Sequence, residues 1–326
     1  MENVKFGLRF QIEREIAMRI GVMGAGSIGG YFGGMLARNG HQVTLVARGA
    51  HLQAIRRDGL QIVRDDEQFT LRCPADIDAT DDPIQAGPVD LLLLTVKTYH
   101  NEQAVLAMLP MVGPDTVVLC LQNGIDSYRA AEHQVGRARI LPGAAYIEAG
   151  LPKPGVVTQR GRVVRIVFGE LDGIESKRGV QIREALERVG IPALFTRNIQ
   201  QTLWTKFLFI ATMAGVTTLA RETLAELLVR EEWRQVVLGC MGEIETVGRA
   251  SGVSLEPRIV DETIEYMEAN LEQMHASMHS DIMAGRPLEL EALNGAVVRA
   301  GRDAGVATPI NDVIYAMLKP YAPGTG

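Results

Sequence analysis

The segment Arg19-Ile20-Gly21-Val22-Met23-Gly24-Ala25-Gly26-Ser27-Ile28-Gly29 runs from a short apolar strand straight into Gly-x-Gly-x-x-Gly. With 34 glycines in 326 residues, the glycine spacing alone is a weak signal; its surroundings are what constrain the fold. A helix-like run, Ser27 to Arg38, follows and stops at Asn39-Gly40, a typical helix end. A second apolar run, Gln42 to Ala47, then completes a strand–helix–strand unit. The spacing suits a dinucleotide. Gly24 permits the tight turn, Gly26 lets backbone N–H groups approach a pyrophosphate, and Gly29 lets helix and strand pack closely. The helix start at Ser27-Ile28, with Ala25 between the first two glycines, supplies positive potential for phosphates. A ligand-free glycine turn is the alternative, and the flanking strand and helix weigh against it.

The end of the second strand indicates which dinucleotide. A nicotinamide cofactor without a 2′-phosphate is usually held there by Asp or Glu, about 20 residues after the glycines. This chain has Val46-Ala47-Arg48-Gly49-Ala50, and its next acidic residue is Asp58. An arginine pairs with a 2′-phosphate, and no carboxylate is present to repel it. NADP(H) is therefore expected over NAD(H). Arg56 and Arg57 either reinforce that site or are solvated residues on the next helix.

A chain of this length exceeds what one hydrophobic core usually serves, so two domains are expected. The formal net charge of −6 and the absence of a basic patch with interleaved aromatics argue against nucleic-acid binding. Cys73, Cys120 and Cys240 are far apart with no Cys-x-x-Cys spacing, as for free thiols in a reducing cytoplasm, and no metal site is indicated. No apolar run reaches about 18 residues, so no membrane span is expected. Residues 1–17 precede a second methionine, Met18, and lack the apolar core of a signal peptide. They read as an N-terminal extension.

Beyond the first unit, Leu60–Val63 and Phe69–Cys73 flank a polar hairpin, and Val89–Val96 is a continuous apolar run suited to a strand buried on both faces. Thr116–Leu121, Ile140–Ala145, Val156–Gln159, Val163–Gly169 and Ala193–Thr196 are further strands, with helices at Asn101–Leu109 and Gly179–Val189. From Ile199 the texture becomes helical: Ile199–Leu219, Leu224–Ser251, Glu256–Ala269, Ser277–Ala284, Leu288–Ala304 and Asn311–Leu318. The expectation is an α/β, Rossmann-like dinucleotide-binding domain over 18–196 and an all-α domain over 197–326. The long helix Leu224–Ser251 packs either within the second domain or across a homodimer interface.

Four polar residues interrupt apolar surroundings. Lys97 ends the strand 89–96, and Asn123 follows the strand 116–121 in Gln122-Asn123-Gly124. Ligands of doubly wound sheets sit outside the carboxyl ends of strands, so both are expected to face the cofactor crevice. Lys206 lies in Leu203-Trp204-Thr205-Lys206-Phe207-Leu208-Phe209 and must snorkel, pair or line a wet cleft. Glu289, in Pro287-Leu288-Glu289-Leu290, is placed at the opening of a helix, where a carboxylate also suits the dipole. Taken singly, Lys97 is equally a solvated strand end, Asn123-Gly124 a turn, Lys206 a snorkelling lysine and Glu289 a first-turn charge.

Taken together with Gly24-x-Gly26-x-x-Gly29, the set Val96-Lys97, Gln122-Asn123-Gly124, Leu203-Trp204-x-Lys206, Ser277-Met278 and Glu289-Leu290-x-x-Leu293-Asn294-Gly295 resembles the ketopantoate reductase (2-dehydropantoate 2-reductase) family, from Met18 to about Lys319. The resemblance implies NADPH-dependent hydride transfer to the C2 ketone of ketopantoate, giving pantoate for pantothenate biosynthesis. It implies Lys206 as general acid and Glu289 as the carboxylate that orients it or a substrate hydroxyl. Asn123 and Lys97 are then residues near the nicotinamide and the reacting carbon, and Ser277 a contact to the substrate carboxylate.

One departure bears on the substrate. Family members with well-defined ketopantoate sites carry asparagines four and eight residues after the lysine; here those positions are Ile210 and Ala214. Helical spacing puts both on the face of Lys206. A more apolar 2-keto acid is the alternative substrate, and a non-catalytic NADP(H) sensor is the alternative function.

Overall fold

The computed structural model describes residues 17–271, 274 and 276–324. The expected N-terminal extension thus lies outside the described residues apart from Ala17. Contacts divide the chain into two compact units. One takes the residues up to Gln122 together with Tyr128–Arg197; the other takes Asn123–Ser127 and the residues from Asn198 onward. The expected limits are 18–196 and 197–326; here the short stretch 123–127 goes with the helical unit and Arg197 with the first unit.

The first unit contains β1 (Arg19–Met23), α1 (Ser27–Arg38), β2 (Gln42–Val46), α2 (Gly49–Asp58), β3 (Leu60–Val63), β4 (Gln68–Leu71), β5 (Asp78–Thr80) and α3 (Pro83–Ala86). It continues with β6 (Val89–Leu94), α4 (Asn101–Ala107), β7 (Val112–Cys120), α5 (Arg129–Val135), β8 (Ile140–Lys153), β9 (Val156–Phe168), α6 (Lys177–Arg188) and β10 (Ala193–Phe195). Six strands run parallel in the spatial order β5-β2-β1-β6-β7-β8. The order reverses direction at β1, so the crevice at the carboxyl ends of β1 and β6 is the topological switch point where a dinucleotide belongs. Leu91, Leu92, Leu93 and Leu94 of β6 are each 0 % exposed, which explains the unbroken apolar run of a strand covered on both faces.

Past Pro142 the long β8 leaves the parallel sheet and pairs antiparallel with β9, which also pairs with β3 and β10. The two stretches expected at 156–159 and 163–169 are one strand. The register jumps between Ile147↔Val164 and Glu148↔Arg160, so the residues around Gly161 (φ 70°) form a bulge inside a continuous ladder.

The helical unit contains α7 (Ile199–Ala220), α8 (Leu224–Leu228), α9 (Glu231–Ala250), α10 (Ile259–Ala269), α11 (Ser277–Met283), α12 (Asn294–Ala304) and α13 (Pro309–Leu318). Its core is separate, with Phe207, Leu208, Val237, Met241, Ile244 and Val297 almost fully buried. Contrary to the expectation on apolar run length, α7 is long and apolar enough to cross a bilayer by length and composition; 67 % of its most apolar window is buried inside the protein, as for a core helix, so the expectation of no membrane span is not overturned.

Two helix expectations fail. Leu224–Ser251 is two helices, because Thr223 and Glu226 close a capping box on the five-residue α8 and Arg230 is extended (φ −103°, ψ 121°) before α9. Leu288–Ala304 is helical only from Asn294, and Leu293 precedes it at φ −106°, ψ −107°. Glu289 therefore sits in a turn ahead of the helix, outside its first turn, and the helix dipole does not account for the carboxylate there. All three cysteines are free thiols. Burial pushes Cys120 and Cys240 up to about 12, leaving them inert.

Candidate active site

In the α/β unit the glycine loop borders a cavity of about 240 Å³ whose lining includes Gly24, Ala25, Gly26, Arg48, Gln103 and Leu151. Gly24 has φ 103°, and a Cβ there would meet the Val96 backbone at 2.8 Å, so only glycine fits. Gly29 is packed inward: its Cβ would come within 2.2 Å of the Gly24 carbonyl. Gly26 is the opposite case, because a Cβ there would meet no protein atom within 4 Å. The open space in front of Gly26 is where a pyrophosphate would lie. Gly26 caps α1 without any side-chain bond, and α1 has no acidic residue in its first turn. The leading N–H groups of α1, at Ser27 and Ile28, are thus available to an anion.

Arg48 stands at the N-cap of α2, again without a side-chain cap and without an acid in the first turn. The cavity lining named for the described residues contains no carboxylate. A guanidinium beside a helix N-terminus fits a 2′-phosphate and disfavours a ribose-binding acid. The residues present therefore fit a phosphorylated dinucleotide. Arg56 and Arg57 do not join them. Arg56 donates to the Ala79 carbonyl at 3.1 Å, and Arg57 pairs with Asp58 at 2.5 Å. Lys97 is half-buried and begins a single 3₁₀ turn, Thr98–His100, just after β6; its neighbour Val96 lines the cavity but Lys97 does not.

In the helical unit, Lys206 is half-buried on α7 and its Nζ donates to Asn123 Oδ1 at 3.1 Å. Burial pulls the ammonium down to about 8 from its ordinary 10.5, while the Glu289 carboxylate pulls the other way. Glu289 is 4 % exposed. Its turn holds Asn123 in place by close approach: Gly124, at φ 107°, has room for no side chain because the Ala292 carbonyl lies 3.0 Å from where a Cβ would be. Asp126 adds an ion pair to Arg299 of α12 at 3.9 Å. A buried amide network braces the same region. Asn294 donates to Asn311 Oδ1 at 3.0 Å, and Asn311 donates to Glu243 Oε2 at 2.8 Å.

The remaining expected residues divide. Ser277 is exposed at the start of α11, whose buried Asp281 is held by Arg286 at 2.8 Å. Ile210 is half-buried, one turn beyond Lys206, whereas Ala214 is 5 % exposed and belongs to the apolar core. Cavity residues missed from sequence include His51, His100, Gln103, Ala104 and Leu151. Only His51 had a usable signal, three positions after Arg48 on one helix face. Leu151 comes from a hairpin arm that sequence spacing cannot place.

The cluster of Lys206, Asn123 and Glu289 supplies an ammonium of moderate acidity beside a buried carboxyl group, an arrangement chemically able to protonate a developing alkoxide. Comparison with known proteins agrees in kind. The chain is 30 % identical to 2-dehydropantoate 2-reductase of Halobacterium salinarum (strain ATCC 700922 / JCM 11081 / NRC-1) over 294 residues, covering 90 % of this chain and 95 % of that one. The crystal structure of 2-dehydropantoate 2-reductase from Geobacter metallireducens GS-15 superposes with TM-score 0.86 at 28 % identity, covering 92 % of this chain and 99 % of that one. A ternary structure of D-mandelate dehydrogenase with NADH and anilino(oxo)acetate superposes with TM-score 0.84 at 27 % identity, covering 93 % and 98 %. Residues 20–173 match the family described as Ketopantoate reductase PanE/ApbA, and residues 198–322 match its C-terminal part. The chain belongs to the ketopantoate reductase family of oxidoreductases.

Proposed function

We propose that this protein is an NADPH-dependent reductase of a 2-keto acid, with ketopantoate, reduced to pantoate, as the substrate the family implies. The observation that carries the proposal is Lys206, whose ammonium is brought to about 8 by burial and is hydrogen-bonded to Asn123. NADPH supplies the hydride when bound. The chain's own part is to hold the phosphates on the α1 N-terminus, pair Arg48 with the 2′-phosphate, and donate a proton from Lys206 Nζ to the oxygen of the reacting carbonyl. An ammonium near that oxygen acts on charge that is largest in the transition state, so it contributes to rate more than to ground-state binding. Asn123 orients the donor, and Glu289 keeps it protonated at neutral pH. Ser277 is assigned to the substrate carboxylate, and Lys97 to the nicotinamide end of the cofactor. The α/β unit is the cofactor domain, the helical unit the substrate domain, and the cytoplasm, which suits its free thiols, the compartment.

A second substrate reading is favoured by Ile210. A half-buried isoleucine one turn from the acid gives an apolar wall where a hydroxyl-binding group would otherwise stand. The superposable D-mandelate dehydrogenase, bound to anilino(oxo)acetate, shows that this fold accommodates an aromatic ligand in at least one neighbour. NADPH consumption measured across a panel of 2-keto acids tests both readings. Turnover on none of them, with NADPH bound tightly, would replace the enzyme with a non-catalytic sensor.

A further inference from the structure

His51 lies in the first turn of α2, half-buried against the glycine loop and on the lining of the same cavity as Gly26 and Arg48. Its ring makes two backbone hydrogen bonds in opposite directions. The Gly155 N–H donates to Nδ1 at 2.9 Å, and Nε2 lies 2.7 Å from the Ala25 carbonyl oxygen. Because Nδ1 accepts, the neutral ring must carry its proton on Nε2, which therefore donates to Ala25. Burial lowers the basicity of this imidazole and favours that neutral form, against a smaller opposing effect of the Ala25 bond.

Ala25 is the residue between the first two glycines, and its N–H is already committed to the Val46 carbonyl of β2 at 3.1 Å. With His51 holding the carbonyl, both backbone groups of Ala25 are fixed. The planar Ala25–Gly26 peptide can no longer rotate, so the Gly26 N–H keeps one direction. At its other end the ring holds the turn between β8 and β9. Gly155, at φ 79°, also accepts from the Gln61 N–H at 2.9 Å, and Leu151 of β8 reaches the cavity.

We infer that His51 is a positioning residue for the dinucleotide: through its Nε2–H it locks the Ala25–Gly26 peptide in the orientation that receives the pyrophosphate, and through Nδ1 it ties the β8–β9 turn to that loop. This rests on the NADP(H) reading of the glycine loop. Preorganising a loop removes the entropy of ordering it from the cost of binding, so the effect belongs to affinity and not to the chemical step.

Two variants separate the two bonds. His51→Gln puts an amide N–H near the Nε2 position and retains the Ala25 bond; His51→Asn puts an amide oxygen near Nδ1 and retains only the Gly155 bond. NADPH dissociation constants of the purified full chain, measured by titration, are expected to rise roughly 3- to 10-fold for His51→Asn, the scale of one lost hydrogen bond. His51→Gln should stay close to the unsubstituted protein, and kcat at saturating NADPH should be within about twofold for both. Amide hydrogen exchange without nucleotide should quicken at residues 25–28 in His51→Asn and not in His51→Gln. Asn as tight as the unsubstituted protein, or Gln as weak as Asn, overturns the positioning role. An unsubstituted protein that binds no NADPH overturns the cofactor reading itself, and this inference with it.

Discussion

Lys206 concentrates the energetics of the site in one side chain. A lysine ordinarily titrates at 10.5, and burial brings this one to about 8. It is thus mostly protonated at neutral pH yet acidic enough to give its proton up. The acid is the protonated form, so ketone reduction should be full below pH 8 and fall as pH rises through about 8. A kcat profile flat to pH 10 would remove Lys206 from the chemistry. Glu289 raises the lysine's basicity, so Glu289→Gln should move that alkaline limb to lower pH. A limb that stays put would mean the carboxylate does not act on the ammonium. Lys206→Ala should lower kcat by about 10²-fold or more with little change in NADPH affinity, as single- and steady-state turnover would show. Arg48 lines the cavity at the glycine loop. Arg48→Ala should weaken NADPH binding by roughly 1.5–3 kcal/mol and leave NADH nearly unaffected, which parallel titrations would check.

At the scale of elements, the glycine loop and α1 make a sharp contrast testable by adding one methyl group. Gly26 has φ −66°, which alanine adopts without strain, and faces open space, so Gly26→Ala should fold normally and even gain a few tenths of a kcal/mol. Its methyl group would occupy the phosphate space, so NADPH affinity should drop. Gly29→Ala instead drives a methyl into the Gly24 carbonyl and Val22, and should cost about 1–3 kcal/mol or more in urea unfolding. A Gly26→Ala variant that binds NADPH normally would place the pyrophosphate elsewhere. The elements most readable from sequence were those with local punctuation: the first strand–helix–strand unit, the leucine-rich β6, and the helix ends at Gly252 and Gly305. The misread ones lacked it. The α8–α9 break falls at Val229-Arg230, a pair with no breaking residue, and depends on a capping box whose geometry only the fold completes. The stretch 288–293 has helical spacing, but its backbone turns at Leu293 and buries Glu289.

At the scale of the whole molecule, substrate choice turns on the residues one and two turns beyond Lys206 on α7. Ala214 lies in the core, so asparagine there would bury an amide in an apolar setting and confound the result. Ile210→Asn alone is the informative change. The protein should accept 2-ketoisovalerate at kcat/KM comparable to ketopantoate, because an apolar wall separates such substrates by only about 1–3 kcal/mol per methylene. Ile210→Asn should raise the ketopantoate over 2-ketoisovalerate ratio. A ratio already high in the unsubstituted protein would mean that other groups bind the hydroxyl. The sequence by itself determined the two-part architecture, the glycine loop, an arginine instead of a carboxylate at the end of β2 and Lys206 as the anomalous lysine, because each leaves a local mark in spacing or in a charge among apolar neighbours. Only the tertiary structure decided that Asn123 keeps company with the helical unit, that Glu289 is buried in a turn, and that His51 of α2 bonds both the glycine loop and a hairpin turn 104 residues further along the chain. Those facts depend on hydrogen bonds and close approaches between segments remote in the chain, and periodicity carries no information about them.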